Sequence, residues 1–203
     1  MMMPDFRLYV LVRRLQGYIW IAFALFIVGS VTGDLFASSL QHMIAPMYTQ
    51  LRQEALTLHQ DTPWELFWSL FSNNLRVSLI MIIGGIAVAI VPVAGVFGNG
   101  LLVGYVLRMT TIKLHASTSM VFVAGILPHG IFEIPAYLLA SALGIQIGWK
   151  MLASAAGRNL RDVWGGVFHD IIPVIFWVAA FLFVAAFIET NITPALLHAA
   201  VGK

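Results

Sequence analysis

His129 and Glu133 stand four residues apart, bracketed by Pro128 and Pro135, inside a long apolar stretch. On a helix that spacing puts an imidazole and a carboxylate on one face. Such a pair can relay a proton, take part in transport, or clamp helices together through an internal hydrogen bond. A carboxylate in lipid costs at least ~2.5 kcal/mol even on the mildest scales. Glu133 must therefore face other helices or water. Ala136, Ala140, Gly144 and Gly148 continue its side of the helix, a small-residue stripe that lets another backbone come close in lipid. The plain reading is a buried polar clamp, and the sharper one is a relay or transport centre. One His and one Glu are too few ligands for a metal, and no His-Glu-x-x-His pattern occurs, so neither metal nor cofactor is expected.

A partner for Glu133 can be sought in the preceding apolar run. Asn99 opens it, and Gly100, Gly104 and Arg108 share one face at four-residue steps. An Arg turned into a bundle without a carboxylate is costly, so Arg108 is the expected counter-ion of Glu133, with Asn99 and His129 completing a polar centre. Gly98, Gly100 and Gly104 are read as close-packing residues, because no Walker lysine follows them. Asn73 and Asn74 precede another apolar run and suit span entry. Asp170 and Glu189 bracket the last run and read as boundary residues. No nucleophile elbow, nucleotide fingerprint or paired aspartates on apolar helices occur, so no enzyme is expected. Cys is absent, which removes disulfides, thiolate metal sites and a Cys nucleophile.

The elements that hold these residues are set by composition. Of 203 residues, 60% are hydrophobic and 10% charged, and the mean hydropathy is +0.90. A soluble domain averages about 25% charged residues. The chain has too little polar surface to cover a water-soluble body and reads as an all-α polytopic bundle in the cell membrane, one domain over 1–203. The net charge of +2 marks no nucleic-acid patch. A spanning helix needs about 20 apolar residues, and five stretches supply that: 19–36, 75–93, 96–112, 122–143 and 171–188. Pro128 followed by Gly130 predicts a broken or re-entrant element there, since Pro lacks a helical N–H and restricts the residue before it. Arg7, Arg13 and Arg14 predict a cytoplasmic N-terminus.

Residues 38–72 form the one sizeable hydrophilic piece, predicted to lie outside the cell. Thr62-Pro63-Trp64-Glu65 reads as a helix start with a capping box. Trp64, Phe67, Trp68 and Phe71 then make an aromatic stripe, suited to the membrane boundary or to a partner. The expected surroundings are membrane lipid, with a homo-oligomer left open.

Three stretches resemble a known family: Phe71-Ser72-Asn73-Asn74, then Gly98-Asn99-Gly100 with Gly104, then Pro128-His129-Gly130 with Glu133, Ile134, Pro135 and Ala136. This pattern resembles the stage II sporulation protein M family of integral membrane proteins. The resemblance implies a non-catalytic scaffold in sporulation engulfment, anchoring peptidoglycan-remodelling hydrolases, a lytic transglycosylase and an amidase. Relatives also occur outside spore-formers. The competing reading is a small transporter or channel centred on His129, Glu133, Arg108 and Asn99. A solvated cavity reaching Glu133 would favour transport, and a dry, fully paired Glu133 would favour the scaffold.

Overall fold

A computed structural model describes residues 5–42, 62–157, 164 and 166–201. Among these there are helices and no strand. We number the α-helices α1 (Leu8–Leu35), α2 (Pro63–Ile83), α3 (Ile90–Leu114), α4 (Thr118–Val121), α5 (Leu127–Ala155), α6 (Val167–Asn191) and α7 (Thr193–Val201). Five of the helical stretches are long and apolar enough to cross a membrane. Their outer faces carry Trp20, Ile83, Ile90, Phe168 and Ile172, each more than half exposed. A soluble protein would hide such a surface, whereas a bilayer covers it. The chain is a multi-pass membrane protein.

Helix limits follow local chemistry. Pro63 occupies the first turn of α2, and the Glu65 carboxylate reaches back to accept from the Thr62 N–H at 2.8 Å and its hydroxyl at 3.2 Å. This helix runs without interruption to Ile83, so the aromatic stripe is the first part of a span. The gap between the second and third spans lies at 84–89, earlier than the 93–96 that hydropathy suggests. Gly84–Ile86 tightens into a 3₁₀ turn, Val88 and Ala89 take positive φ, and α3 then starts with Pro92 in its first turn, where a missing N–H costs nothing.

The expected break at Pro128–Gly130 is also displaced. Pro128 sits in the first turn of α5, and the helix continues through Gly130 and Pro135 to Ala155. The irregularity is a π segment, Phe122–Ile126, immediately before it. Its wider turns leave room for Pro128 without a chain break. Such π segments concentrate at functional sites.

Helix α5 is the centre of the bundle. Every residue from Ala136 to Gly148 is buried, and it packs on α1, α2, α3 and α6. The small-residue faces of α3 and α5 have different neighbours. A methyl on Gly144 would strike the Met81 carbonyl, one on Gly85 the Gly144 carbonyl, and one on Gly148 the Ala89 backbone. Gly100 and Gly104 instead lie against Phe26 and Ser30 of α1, while Gly29 and Gly33 lie against Phe97 and Leu101 of α3. Two separate close backbone contacts result: α1 on α3, and α5 on the end of α2 and the 84–89 turn.

Polar groups fasten the opposite ends. The Asp170 carboxylate, 3% exposed, accepts from Arg14 Nη1 at 3.0 Å, tying α6 to α1. Asp170 is thus an internal partner, not a boundary charge. Glu189 lies nineteen residues further along α6, about 28 Å by helical rise, and belongs to the site at the other end.

Candidate functional site

His129, Glu133 and Tyr137 project from successive turns of the first half of α5. The Glu133 Oε1 accepts from Asn74 Nδ2 of α2 at 3.1 Å, and Tyr137 lies on the same cavity wall. Its Oε2 faces His129 Nε2 at 3.9 Å, with both side chains partly exposed, 15% for His129 and 21% for Glu133. Glu189 closes the group from α6: one ligand-type atom from each of His129, Glu133 and Glu189 lies within 4.8 Å of the others. Thr193, at the start of α7, places its hydroxyl 3.5 Å from His129 Nδ1.

These groups front an open cavity of about 470 Å³. It is enclosed by α1, α2, α3, α5 and α6, and Asn73 and Asn99 lie on its wall beside Asn74. The Asn99 Nδ2 is buried there with no hydrogen-bond partner among the described residues. Elsewhere the wall is apolar, as at Phe26, Val77 and Val106. Among its described lining residues there is neither Lys nor Arg.

The structure brings together Glu133, His129, Asn99 and Asn74, and it leaves Arg108 out. Arg108 is exposed and lines a different cavity with Asp34. Steps of four from Gly100 do continue one face, but that face turns towards α1 and not towards α5. The aromatic stripe divides in the same way. Phe67 is buried, and Phe67 and Phe71 set their rings edge-on against Phe183 of α6 at 5.0 and 5.8 Å. They are bundle contacts. Trp64 and Trp68 remain exposed at 62% and 43%.

The model of the family described as stage II sporulation protein M matches residues 22–194. That span takes in α2, α3, α5 and α6, and with them every residue of the cavity. The chain belongs to the stage II sporulation protein M family. An uncharacterised protein of Methanocaldococcus jannaschii is 30% identical over 128 residues, 63% of this chain and 71% of that protein. No solved structure matches. Membership in the stage II sporulation protein M family suggests a role in sporulation.

Glu189, Tyr137 and Thr193 are the site residues that sequence reasoning missed. Glu189 had a signal: it ends a run of nearly unbroken apolar residues, the same oddity that marks Glu133. Its position near a helix end made a boundary charge the simpler reading. Tyr137 follows Glu133 by four residues, and that spacing was a usable sign. Thr193 carried none, since its role depends on how α7 turns back at Ile192.

Proposed function

We propose that this protein is a small membrane transporter or channel that passes a cation through the Glu133 cavity. The observation carrying this reading is the open cavity itself, with two carboxylates and an imidazole on its wall. A structural clamp would be dry and closed by its partners. Here the Glu133 carboxylate accepts from Asn74 on one oxygen and is 21% exposed beside the cavity. Ionisable groups within spans mark ion and proton pathways by default. The loss of Arg108 from the centre sharpens the reading, because two carboxylates without a guanidinium favour a cation. With the N-terminal arginines on the cytoplasmic side, the cavity lies in the extracytoplasmic half of the bundle. The test is flux into proteoliposomes, using protons with an entrapped pH dye and Mn²⁺ with an entrapped quenchable fluorophore. Wild-type protein should pass at least one of them faster than protein-free vesicles, and Glu133→Gln should return the rate to that of the vesicles. Wild-type rates equal to empty vesicles for both probes would contradict the proposal.

A second reading is supported by a different surface. Trp64 and Trp68 are exposed at the start of α2, directly after the hydrophilic segment 43–61, which lies outside the described residues. Family membership and this aromatic pair support a non-catalytic scaffold that docks extracytoplasmic peptidoglycan hydrolases. Aromatic anchors dominate binding energy where they become desolvated. Replacing both by serine should then leave membrane insertion intact and abolish co-purification of a wall hydrolase. Full co-purification by the double variant would remove the pair from any docking role.

A further inference from the structure

We propose that His129, Glu133 and Glu189 bind one divalent transition-metal ion, of the Zn²⁺ or Mn²⁺ class. This names the cation for the cavity and rests on the cation reading of that site. The sequence offered one His and one Glu, too few to hold a metal. The fold adds Glu189 from a second helix, and bundle metal sites are commonly assembled from facing helices in this way.

The geometry is close to what an ion needs. Around a metal at ~2.1 Å from each ligand, neighbouring ligand atoms stand roughly 3.0–3.5 Å apart. The three here lie within 4.8 Å of one another. Small rotations of the two glutamates, each with three free torsions, close that difference. The cavity leaves room for waters to complete the coordination.

The neighbouring contacts suit a ligand set. Asn74 donates to Glu133 Oε1, and Oε2 faces His129 Nε2 at 3.9 Å. His129 Nδ1–H can donate to Thr193 Oγ1 at 3.5 Å, and that hydroxyl donates onward to the Ile188 carbonyl at 3.4 Å. In the tautomer with the proton on Nδ1, this chain leaves the Nε2 lone pair for a metal, the usual support of a ligating histidine. Asn99 lies on the same cavity wall, and its Nδ2 has no hydrogen-bond partner among the described residues.

Charge and donor type select the ion. Two carboxyl groups share an apolar surrounding with an imidazole and no Lys or Arg among the described lining residues. A dication neutralises both. The imidazole nitrogen suits Zn²⁺ and its neighbours, whereas Mg²⁺ and Ca²⁺ prefer oxygen alone.

The experiment titrates the full chain, purified in detergent micelles, with Mn²⁺ and follows the electron paramagnetic resonance signal of the free ion. One equivalent should be taken up, displaced by Zn²⁺ and left in place by Mg²⁺. Glu189→Gln should weaken uptake by about 100-fold or more, at least the loss seen when only supporting partners of a metal ligand are removed. Thr193→Val, which removes a support and no ligand, should weaken it by about 10-fold. Arg108→Gln, outside the cavity, should leave uptake unchanged. If Glu189→Gln fails to fold, Glu133→Gln and Thr193→Val carry the test. Absence of Mn²⁺ and Zn²⁺ uptake would overturn the site, as would displacement by Mg²⁺ as readily as by Zn²⁺ or wild-type uptake by the folded variants. Metal uptake without flux would contradict transport and leave the site standing. Proton flux without metal uptake would do the reverse.

Discussion

Replacing Arg14 by alanine should destabilise the protein by about 3–5 kcal/mol, the usual consequence of leaving a buried charge without its partner. Asp170 is buried, and Arg14 holds its carboxylate at 3.0 Å. Arg14 itself is 39% exposed, so the loss falls on the carboxylate, which has no route to water. The pair also joins the start of α1 to the start of α6, at the end of the bundle away from the cavity. Arg14→Met with Asp170→Leu removes both charges and should recover most of the stability. Arg108→Ala should change stability by no more than about 0.5 kcal/mol, as expected of an exposed side chain. Unfolding in mixed micelles, followed by circular dichroism, measures all three. An Arg14→Ala protein as stable as the wild type would show that Asp170 has another partner or is reached by water.

Gly104→Ile should prevent the bundle from forming. The Ser30 carbonyl of α1 occupies the place of the first side-chain carbon, with the Asp34 backbone beside it. Overpacking a core commonly costs about 1–3 kcal/mol and sometimes more. Here the obstacle is backbone, so no rotamer change relieves it and α1 must move off α3. Gly98, on the same helix, has nothing within 4 Å of its added methyl. Gly98→Ala should therefore be tolerated, with a gain of about 0.5–1 kcal/mol from helix preference. Size-exclusion chromatography and unfolding in micelles distinguish the two variants. A folded Gly104→Ile protein that changed only its oligomeric state would mean that this face joins two copies of the chain rather than two of its own helices.

The number of long apolar helices was legible because hydropathy and length decide it. Their junctions were less so. From Leu75 to Val96 the sequence is almost continuously apolar, and the turn at Val88-Ala89 has no polar residue to announce it. Gly84 and Gly85, which end α2, carry no polar signal either. Glu133 was legible as an internal site for a simple reason: a carboxylate in an apolar helix has nowhere else to go. Its partners were not. Arg108 and Asn74 are both chemically sensible for Glu133, and only the order of helices in the bundle decides between them. Gly100 and Gly104 could have packed on any small-residue face, and Gly29 with Gly33 offered one as good as that on α5. Periodicity identifies a face, whereas neighbours are a property of the whole fold.

The reading of this protein depends on water reaching Glu133 within the membrane. Absence of native cysteine makes that directly measurable. Val77, on the cavity wall, and Ile172, 57% exposed on the outside of α6, are replaced singly by cysteine in the full chain. Both are reconstituted in vesicles and treated with a charged, membrane-impermeant thiol reagent. The account predicts rapid modification of Val77→Cys and none of Ile172→Cys. Equal failure of both to react would mean a dry cavity, and would contradict it.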